Sequence, residues 1–382
     1  MAPKRTASLG RLSMILAAAI AVAALGAAGG GFTASGTPRA LSGAPGVHEW
    51  RFEAVRGPSP FDRIALHRLA PGPNPPQAPK AVVLFLPGTN MNGEVAPDDP
   101  HHNFAEYLAS EGIDTWSLDY RTHFVPPDAS EASLAELKDW TNALFESDID
   151  AAADWVMSQT HRQKIFVAGF SRGGEFAYLY AARHPKNVAG LVILDSYLFD
   201  RPMATGKPER YATDVGGAHL TYDKRKTLME LVIRNPDGPA PIPKYKTARE
   251  NLEHVLYDAG GPFGGHGGES NALNGISDPV VLARVLVAFD RYWPAAQNYE
   301  NPFTPELKQT LAQSGIPVIA FSSTNISAQW PGKVRASAQS TGYPAPLFKA
   351  LDGWGHLDVL AGNQSESEVY APTAKWIMQR AK

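Results

Sequence analysis

The stretch KIFVAGFSRGGEFAYLYAA, residues 164–182, decides the fold predicted for this chain. Its apolar run at 165–168 is rich in β-branched and aromatic residues, which is typical of a buried parallel strand. The pentapeptide GFSRG follows at 169–173, and residues 175–182 then read as a helix. Between a strand and a helix, G-x-S-x-G forms a tight turn that exposes the serine hydroxyl at the end of the sheet. We therefore predict that Ser171 is a nucleophile; the alternative is a glycine-rich turn with an incidental serine.

Apolar strands alternate with helical segments on both sides of this stretch. Besides the central strand, strands are predicted over 48–55, 63–68, 81–86, 113–118, 188–194, 317–321 and 347–351. Helices are predicted near 103–110, 134–145, 149–158, 225–233, 279–292 and 368–379. The first two strands alternate apolar and polar residues, as antiparallel edge strands do. This order predicts an α/β fold with a mostly parallel sheet covered by helices on both faces.

One long segment breaks the alternation. Residues 200–311 show no repeat of strand and helix, but they contain a proline-rich piece at 236–243 and a glycine-rich tract at 259–268. Ordinary connections in such folds are only a few residues long. We therefore predict a cap or lid inserted after the sixth core strand, between core segments 47–199 and 312–382, rather than a separate domain.

The N-terminus has the composition of an export signal. Three basic residues among the first eleven precede a 12-residue apolar run at 14–25, and small residues follow it. That run is shorter than the roughly 20 residues that a membrane-spanning helix needs. We predict a signal peptide over 1–28, a linker over 29–46 and a secreted or periplasmic protein. The alternative is an uncleaved N-terminal anchor.

The net charge and the lack of cysteine exclude some kinds of binding partner and of covalent attachment. The chain has 35 basic and 38 acidic side chains, or 32 and 38 once the three cations of the leader are removed. A mildly acidic protein is not expected to bind nucleic acid or an anionic membrane surface. The chain has no cysteine, so neither a disulfide framework nor lipoprotein attachment is available to it.

A serine nucleophile needs a base, and the base needs an acceptor that orients it. Among eleven histidines, His356 alone lies on a loop directly after a late predicted strand. Gly353 and Gly355 precede it and would let the loop carry the imidazole to Ser171. We predict that His356 is the base; the alternative is a surface histidine.

Three motifs together resemble the α/β-hydrolase superfamily of serine hydrolases. They are GFSRGG at 169–174, LFLPGTN at 84–90 and GHLDVL at 355–360. The resemblance covers nearly all of 48–382 outside the cap. The HLD segment at 356–358 is also similar to the C-terminal HLD segment of acid (gastric-type) lipases. The resemblance implies an α/β-hydrolase fold with a cap between core strands 6 and 7, and a serine hydrolase activity.

The chain departs from this family at the end of the third core strand. The family commonly has His-Gly there, whereas this chain has Pro87-Gly88. An oxyanion hole needs backbone N–H groups aimed at the developing negative oxygen, and not the histidine side chain. By position, Thr89 supplies one N–H group and Arg172 the other, with Asn90 as the alternative to Thr89.

The second departure concerns the acid of the triad. The seventh core strand of the family normally delivers an aspartate about four residues past its end, and this chain has Asn325 there. Asparagine can orient an imidazole but cannot stabilise an imidazolium with a charge. The superfamily can also supply the acid from the end of strand six, where Asp195 lies. We predict Asp195, with Asn325 as the alternative; Asp358 is too close to His356 in sequence to face it easily.

These residues predict a serine hydrolase that cleaves a small-molecule or lipid-like carboxylic ester, without a metal or organic cofactor. Tyr197, Tyr292 and Trp293, together with Asn90, are candidates to bind substrate, although ordinary packing would also explain the aromatic residues. The acidic and histidine-containing run at 98–102 has no second cluster with metal-ligand spacing.

A peptidase or an acyltransferase would use the same triad. A non-catalytic binding protein on a hydrolase scaffold is the alternative from another class. The sequence does not indicate an oligomeric state.

Overall fold

The computed structural model describes residues 31–94, 97–199, 211–212, 221–258 and 268–381. The predicted signal peptide and residues 259–267 of the glycine-rich tract lie outside these ranges, so both assignments stay predictions. The strands are β1 Thr33–Ala34, β2 Arg39–Ala40, β3 Val47–Val55, β4 Arg63–Pro71, β5 Val82–Leu86, β6 Asp114–Asp119, β7 Ile165–Phe170, β8 Val188–Leu194, β9 Tyr211–Ala212, β10 Trp293–Pro294, β11 Val318–Ser323 and β12 Leu347–Leu351.

One large sheet organises the molecule. Its strand order is β1-β3-β4-β6-β5-β7-β8-β11-β12, with β2 beside β3. The pairings of β3 with β4 and of β4 with β6 are antiparallel, whereas every pairing from β6 to β12 is parallel. The described parallel strands β5, β7 and β8 are almost wholly buried, as strands covered on both faces must be. This architecture confirms the predicted mostly parallel sheet and its antiparallel edge.

Helices cover both faces of the sheet. They are α1 Phe104–Ser110, α2 Asn142–Thr160, α3 Arg172–Arg183, α4 Tyr222–Arg234, α5 Ala248–Asp258, α6 Pro279–Val287, α7 Pro305–Gln313, α8 Trp330–Gln339, α9 Asp358–Ala361 and α10 Ala371–Arg380. Apolar side chains of α2, α3 and α8 join one face of the sheet in a single buried cluster. Those of α1, α10 and α4 to α6 join the other face. In the part of the chain that the structure describes, no helix is both long and apolar enough to cross a bilayer.

The helix predicted near 134–145 is wrong. The chain instead forms a 3₁₀ helix over Ser133–Asp139, and α2 begins at Asn142. Thr141 is extended, with ψ of 169°, and its side chain accepts the N–H of Leu144 at 3.3 Å. A threonine that caps a helix in this way interrupts the helix before it, because a capping residue has non-helical backbone angles.

The segment predicted as a cap contains α4, α5 and α6, which pack on one another. Its last helix, α7, packs instead against α3 of the core. After α7 the chain re-enters the same sheet, because β11 pairs in parallel with β8. Residues 200–210 lie outside the described part, and the bounds 200–311 stay a prediction.

A buried ion cluster joins the end of β6 to α2. Arg121 is 3% exposed, and its guanidinium donates to Asp148 at 2.5 and 3.0 Å and also contacts Asp62. Arg56 donates to the same Asp148 at 3.1 Å. Buried charges are tolerated only when they are paired and hydrogen-bonded, so the cluster is stable only as a unit.

We expect Arg121→Met to lower the free energy of unfolding by about 3–5 kcal/mol, because it leaves a buried carboxylate without its main cation. Urea denaturation at neutral pH measures this loss. The control is Lys349→Met, which removes an exposed ion pair with Glu368 and should cost under about 1 kcal/mol. Equal small losses in both variants would show that the Arg121 cluster does not stabilise the fold.

Candidate active site

A one-residue turn separates the central strand from the helix that follows it. β7 ends at Phe170, α3 begins at Arg172, and Ser171 between them has φ 54° and ψ −123°. A non-glycine residue with such a positive φ costs roughly 1–3 kcal/mol and persists only where its surroundings enforce it. The N–H of Ser171 donates to the carbonyl of Leu194 at 3.1 Å, and its carbonyl accepts the N–H of Gly174 at 2.9 Å. These bonds hold the strained turn between two strands and a helix.

The flanking glycines allow this turn to close. A Cβ built on Gly173 would collide with the main-chain carbonyl of Leu86 in β5. A Cβ built on Gly169 would collide with the main chain of Gly173. The G-x-S-x-G spacing therefore has a steric cause here, because the backbones of β5, β7 and α3 meet where a side chain would stand.

Asp195 follows β8 directly and is fully buried. Its Oδ2 lies 2.6 Å from Nδ1 of His356 and also accepts the hydroxyl of Ser323 at 2.8 Å. Its Oδ1 accepts the N–H of Ser323 at 2.6 Å and the indole N–H of Trp330 at 2.8 Å. The structure thus brings the predicted acid and base together, with three further donors that hold the carboxylate in place.

The imidazole of His356 lies beside the turn. Its ring centroid is 4.6 Å from that of Phe170, the residue before Ser171, and the two planes are 30° apart. Because an ionised carboxylate only accepts hydrogen bonds, Asp195 fixes the tautomer with a proton on Nδ1 and leaves Nε2 unprotonated in the neutral ring. Burial lowers the pKa of His356, but the hydrogen bond and charge of Asp195 and the charge of Glu269 outweigh it and raise the pKa above its ordinary value.

The loop after β5 passes against Ser171. A Cβ built on Gly88 would lie 3.1 Å from the Cβ of Ser171. Thr89 is the next residue of this loop, and Arg172 is the first residue of α3. Of the two residues predicted to form the oxyanion hole, Arg172 therefore adjoins the serine in sequence, and Thr89 adjoins Gly88, which lies against the serine. Asn90, also predicted at the site, is fully buried, and its amide donates to the carbonyl of Asp290 at 3.0 Å.

A buried charged network holds the far end of the loop after β5. The sequence did not predict this network. The N–H of Gly93 donates to Asp119 Oδ1 at 2.7 Å, and Asp119 Oδ2 lies 2.9 Å from Nε2 of His67. Glu49 contacts the other nitrogen of His67 at 2.6 Å. Burial opposes the charge on His67, but the two carboxylates outweigh it and raise its pKa to about 10. In the sequence, the alternation of apolar and polar residues along the two edge strands was the one signal for polar side chains here.

The aromatic candidates have different surroundings. Tyr197 is half-buried and meets the indole of Trp330 edge-on at 4.9 Å, so it lies near the acid. Tyr292 is 3% exposed and donates its hydroxyl to a main-chain carbonyl at 3.0 Å. Trp293 is 1% exposed and packs edge-on against Tyr120 at 5.8 Å. The structure places Tyr292 and Trp293 in the packed interior, and substrate contact stays a prediction for all three.

Asn325, the alternative acid, bonds elsewhere. Its N–H donates to the carbonyl of Trp354 at 2.9 Å, and its side-chain Nδ2 is buried without a partner among the described residues. Ser323, two residues earlier, instead contacts the carboxylate of Asp195. Ser323 lies two residues after the strand predicted over 317–321, and this position was a usable signal for the contact, whereas nothing in the sequence pointed to Trp330. Across the described ranges, no group of three or more His, Asp or Glu side chains is placed to hold a metal ion.

We expect Gly173→Ala to unfold the protein or lower its melting temperature by more than 10 °C, because the added Cβ has no space beside β5. The matched control is Gly332→Ala in α8, where a Cβ meets nothing within 4 Å and should add about 0.5–1 kcal/mol of stability. Differential scanning calorimetry measures both. A Gly173→Ala protein as stable as the control would contradict the steric account of the turn.

Comparison with known proteins agrees with this fold. A family model described as the alpha/beta hydrolase fold matches residues 81–224. A candidate lipase from Sulfolobus solfataricus superposes with a TM-score of 0.70 at 24% identity, over 92% of this chain and 99% of that one. A thermophilic esterase from Thermogutta terrifontis gives 0.46 at 17% identity, over 87% and 99%. No curated protein matches the sequence. The sheet order, the family match and the Sulfolobus likeness show the α/β-hydrolase fold.

Proposed function

We propose that this protein is a serine hydrolase of carboxylic esters, with Ser171 as nucleophile, His356 as base and Asp195 as acid. The observation that carries the proposal is the buried 2.6 Å contact between Asp195 and His356 beside the strained serine turn. Strained non-glycine residues and buried carboxylate–imidazole pairs are both concentrated at functional sites. Their coincidence at one sheet edge favours an enzyme over a binding protein on the same scaffold.

The reaction follows from the roles of these groups. Nε2 of His356 takes the proton of the Ser171 hydroxyl as the oxygen attacks the ester carbonyl carbon. The imidazolium then gives this proton to the departing alcohol, which leaves an acyl group on Ser171. Water, deprotonated by the same imidazole, attacks the acyl-enzyme, and the carboxylic acid departs as the serine regains its proton. Asp195 stabilises the imidazolium in both halves of the reaction.

The oxyanion formed in each half needs donors that are already in place. We assign this role to the backbone N–H groups of Thr89, which follows Gly88, and of Arg172, which follows Ser171. Arg172 opens α3, and the first N–H groups of a helix carry partial positive charge. The side chain of Arg172 is 5% exposed and donates to Glu175 at 2.5 Å, which helps to fix that end of the helix.

The proposal includes a lipid-like or small-molecule ester as substrate and export from the cytoplasm. The first is supported by the Sulfolobus protein, whose description is that of a candidate lipase. The second rests on the leader at 1–28, and N-terminal sequencing of protein from the periplasm or medium tests it. A chromogenic ester series that varies only in acyl length tests the substrate class.

We expect Ser171→Ala to abolish labelling by a fluorophosphonate probe and to lower ester hydrolysis by at least about 10⁴-fold, since the nucleophile is lost. The melting temperature should hardly change, because alanine keeps the backbone of the turn. The control is Ser158→Ala, whose hydroxyl donates to the carbonyl of Trp155 in its own helix and which should label like the unmodified protein. Persistent labelling of Ser171→Ala would identify a different nucleophile.

Two substitutions separate the candidate acids. Asp195→Asn should lower kcat by roughly 10⁴-fold, because the amide cannot stabilise the imidazolium and favours the wrong tautomer. Asn325→Ala should keep most of the activity, because its described contacts do not reach His356. Steady-state kinetics with one acetate ester measure both. If Asn325→Ala loses the activity and Asp195→Asn retains it, the acid belongs to the end of β11.

A further inference from the structure

The loop after β5 is bonded to the chain that follows α6. The main-chain N–H of Asp290 donates to the carbonyl of Asn90 at 2.7 Å, and the side-chain amide of Asn90 donates back to the carbonyl of Asp290 at 3.0 Å. The side-chain amide of Asn92 donates to the carbonyl of Ala288 at 2.8 Å. Residues 288–290 lie in the segment predicted as a cap, whereas the loop lies in the core. These three hydrogen bonds therefore join two parts of the chain that are far apart in sequence.

The same bonds reach the predicted oxyanion donor through two peptide planes. A peptide unit is planar, so a hydrogen bond to its carbonyl also constrains the direction of its N–H. The carbonyl of Asn90, which accepts from Asp290, shares its plane with the N–H of Met91. That N–H donates to the carbonyl of Gly88 at 3.1 Å, and this carbonyl shares its plane with the N–H of Thr89. The direction of the Thr89 N–H therefore depends on the position of Asp290.

The main-chain donors at the middle of the loop are not used within the protein. In the part of the chain that the structure describes, the N–H groups of Thr89 and Asn90 donate to no acceptor. Thr89 is partly exposed, whereas the other residues of 87–93 are buried. Main-chain N–H groups inside proteins are nearly always paired. Two adjacent N–H groups without an acceptor, next to the Gly88 that lies against Ser171, are suited to bind an oxygen of the substrate.

The core holds the two ends of the same loop. The hydroxyl of Tyr120 donates to the carbonyl of Pro87 at 3.1 Å. At the other end, Asp119 accepts the N–H of Gly93 at 2.7 Å. With both ends held by the core, the bonds to 288–290 are what constrain the middle of the loop.

We propose that residues 288–290, through Asn90 and Asn92, form a clamp that aims the backbone N–H of Thr89 at the oxyanion of ester cleavage. This inference rests on the proposed function. Asn90 and Asn92 are positioning residues, because they act on the main chain of the loop and not on the ester. Hydrogen bonds in series also polarise one another, so the clamp makes the Thr89 N–H a stronger donor as well as a fixed one.

The clamp should affect the transition state more than the bound substrate. The carbonyl oxygen gains its negative charge only as the serine attacks, and donors aimed at that oxygen stabilise it then. A loosened loop should therefore lower kcat and leave KM nearly unchanged. A boronic acid forms a tetrahedral adduct with an activated serine and so resembles the transition state. Its inhibition constant should rise by the factor by which kcat/KM falls.

Asn92→Ala removes one bond of the clamp. We expect kcat for a chromogenic acetate ester to fall about tenfold, KM to change less than about twofold, and the inhibition constant of a boronic acid to rise about tenfold. The matched control is Asn363→Ala, because the amide of Asn363 also donates to a main-chain carbonyl of the predicted cap, that of Gly275, at 3.1 Å. The control should leave all three constants unchanged. An unchanged kcat and inhibition constant in Asn92→Ala would overturn the proposal.

Asn90→Gly separates positioning from stability. Residue 90 has φ 62°, which glycine adopts without strain, so the melting temperature should change by only a few degrees, at about the level of one lost hydrogen bond. The lost amide bond to Asp290 should still lower kcat about tenfold with KM nearly unchanged. If this variant and Asn92→Ala lower the melting temperature but keep kcat, the clamp has a structural role alone and the proposal is wrong.

Hydrogen–deuterium exchange tests the clamp without relying on activity. The amides of Met91 and Asp290 donate within the clamp and should exchange faster in both Asn90→Gly and Asn92→Ala than in the unmodified protein. Unchanged exchange of both amides would show that the side chains do not hold the loop. If the unmodified protein neither labels with a fluorophosphonate nor cleaves esters, the proposed function fails, and the exchange rates still decide whether residues 288–290 hold the loop.

Discussion

The sheet edge that carries the proposed active site depends on the carboxylate of Asp195. It stands at the end of β8 and joins three other parts of the chain, because its two oxygens bond Ser323 at the end of β11, Trp330 at the start of α8 and His356 after β12. A fully buried anion with one partner would be costly, whereas four directed donors make it favourable and rigid. The bonds that join these elements at the sheet edge therefore also orient the imidazole of His356, so the proposed base is held by contacts that stabilise the fold.

The part of the proposed site around Ser171 is held by close contact between backbones and not by charged groups. Backbones of β5, β7 and α3 meet around Gly169 and Gly173 with no space for a side chain. This contact places the loop after β5 against Ser171, and the network of Asp119 and His67 then holds the end of that loop through Gly93. The donors of an oxyanion hole must be fixed before the reaction begins. Backbone packing supplies that fixity more reliably than mobile side chains would.

The sequence could predict the features that depend on residues close together in the chain, and it could not predict those that depend on distant residues. The turn at Ser171 and the strands around it depend on neighbours in sequence, so their pattern was readable, whereas the start of α2 was misplaced because the cap at Thr141 competes with a continuous helical pattern. The contacts of Trp330 and Glu269 depend on partners brought together by tertiary packing. Segment 269–277 is bonded to Asp358, two residues after His356, across more than eighty residues of sequence. No local periodicity encodes such a meeting, and Asp358 could be judged from the sequence only by its nearness to His356.

Three residues with strained backbone angles lie at the sheet edge that carries the proposed site, and each is held by a different part of the chain. Among the described residues, four that are not glycine have positive φ, and Asn90, Ser171 and Asp195 are three of them. Each of the three follows a parallel strand at the same sheet edge, and such conformations cost roughly 1–3 kcal/mol apiece. Each is also held by specific bonds: Asn90 by the backbone of Asp290, Ser171 by that of Leu194, and Asp195 by its side-chain donors. Because each strained residue is bonded to a different part of the chain, loosening any one of these parts would let its residue relax. The geometry of the site is therefore a property of the assembled sheet edge, and no single loop could maintain it alone.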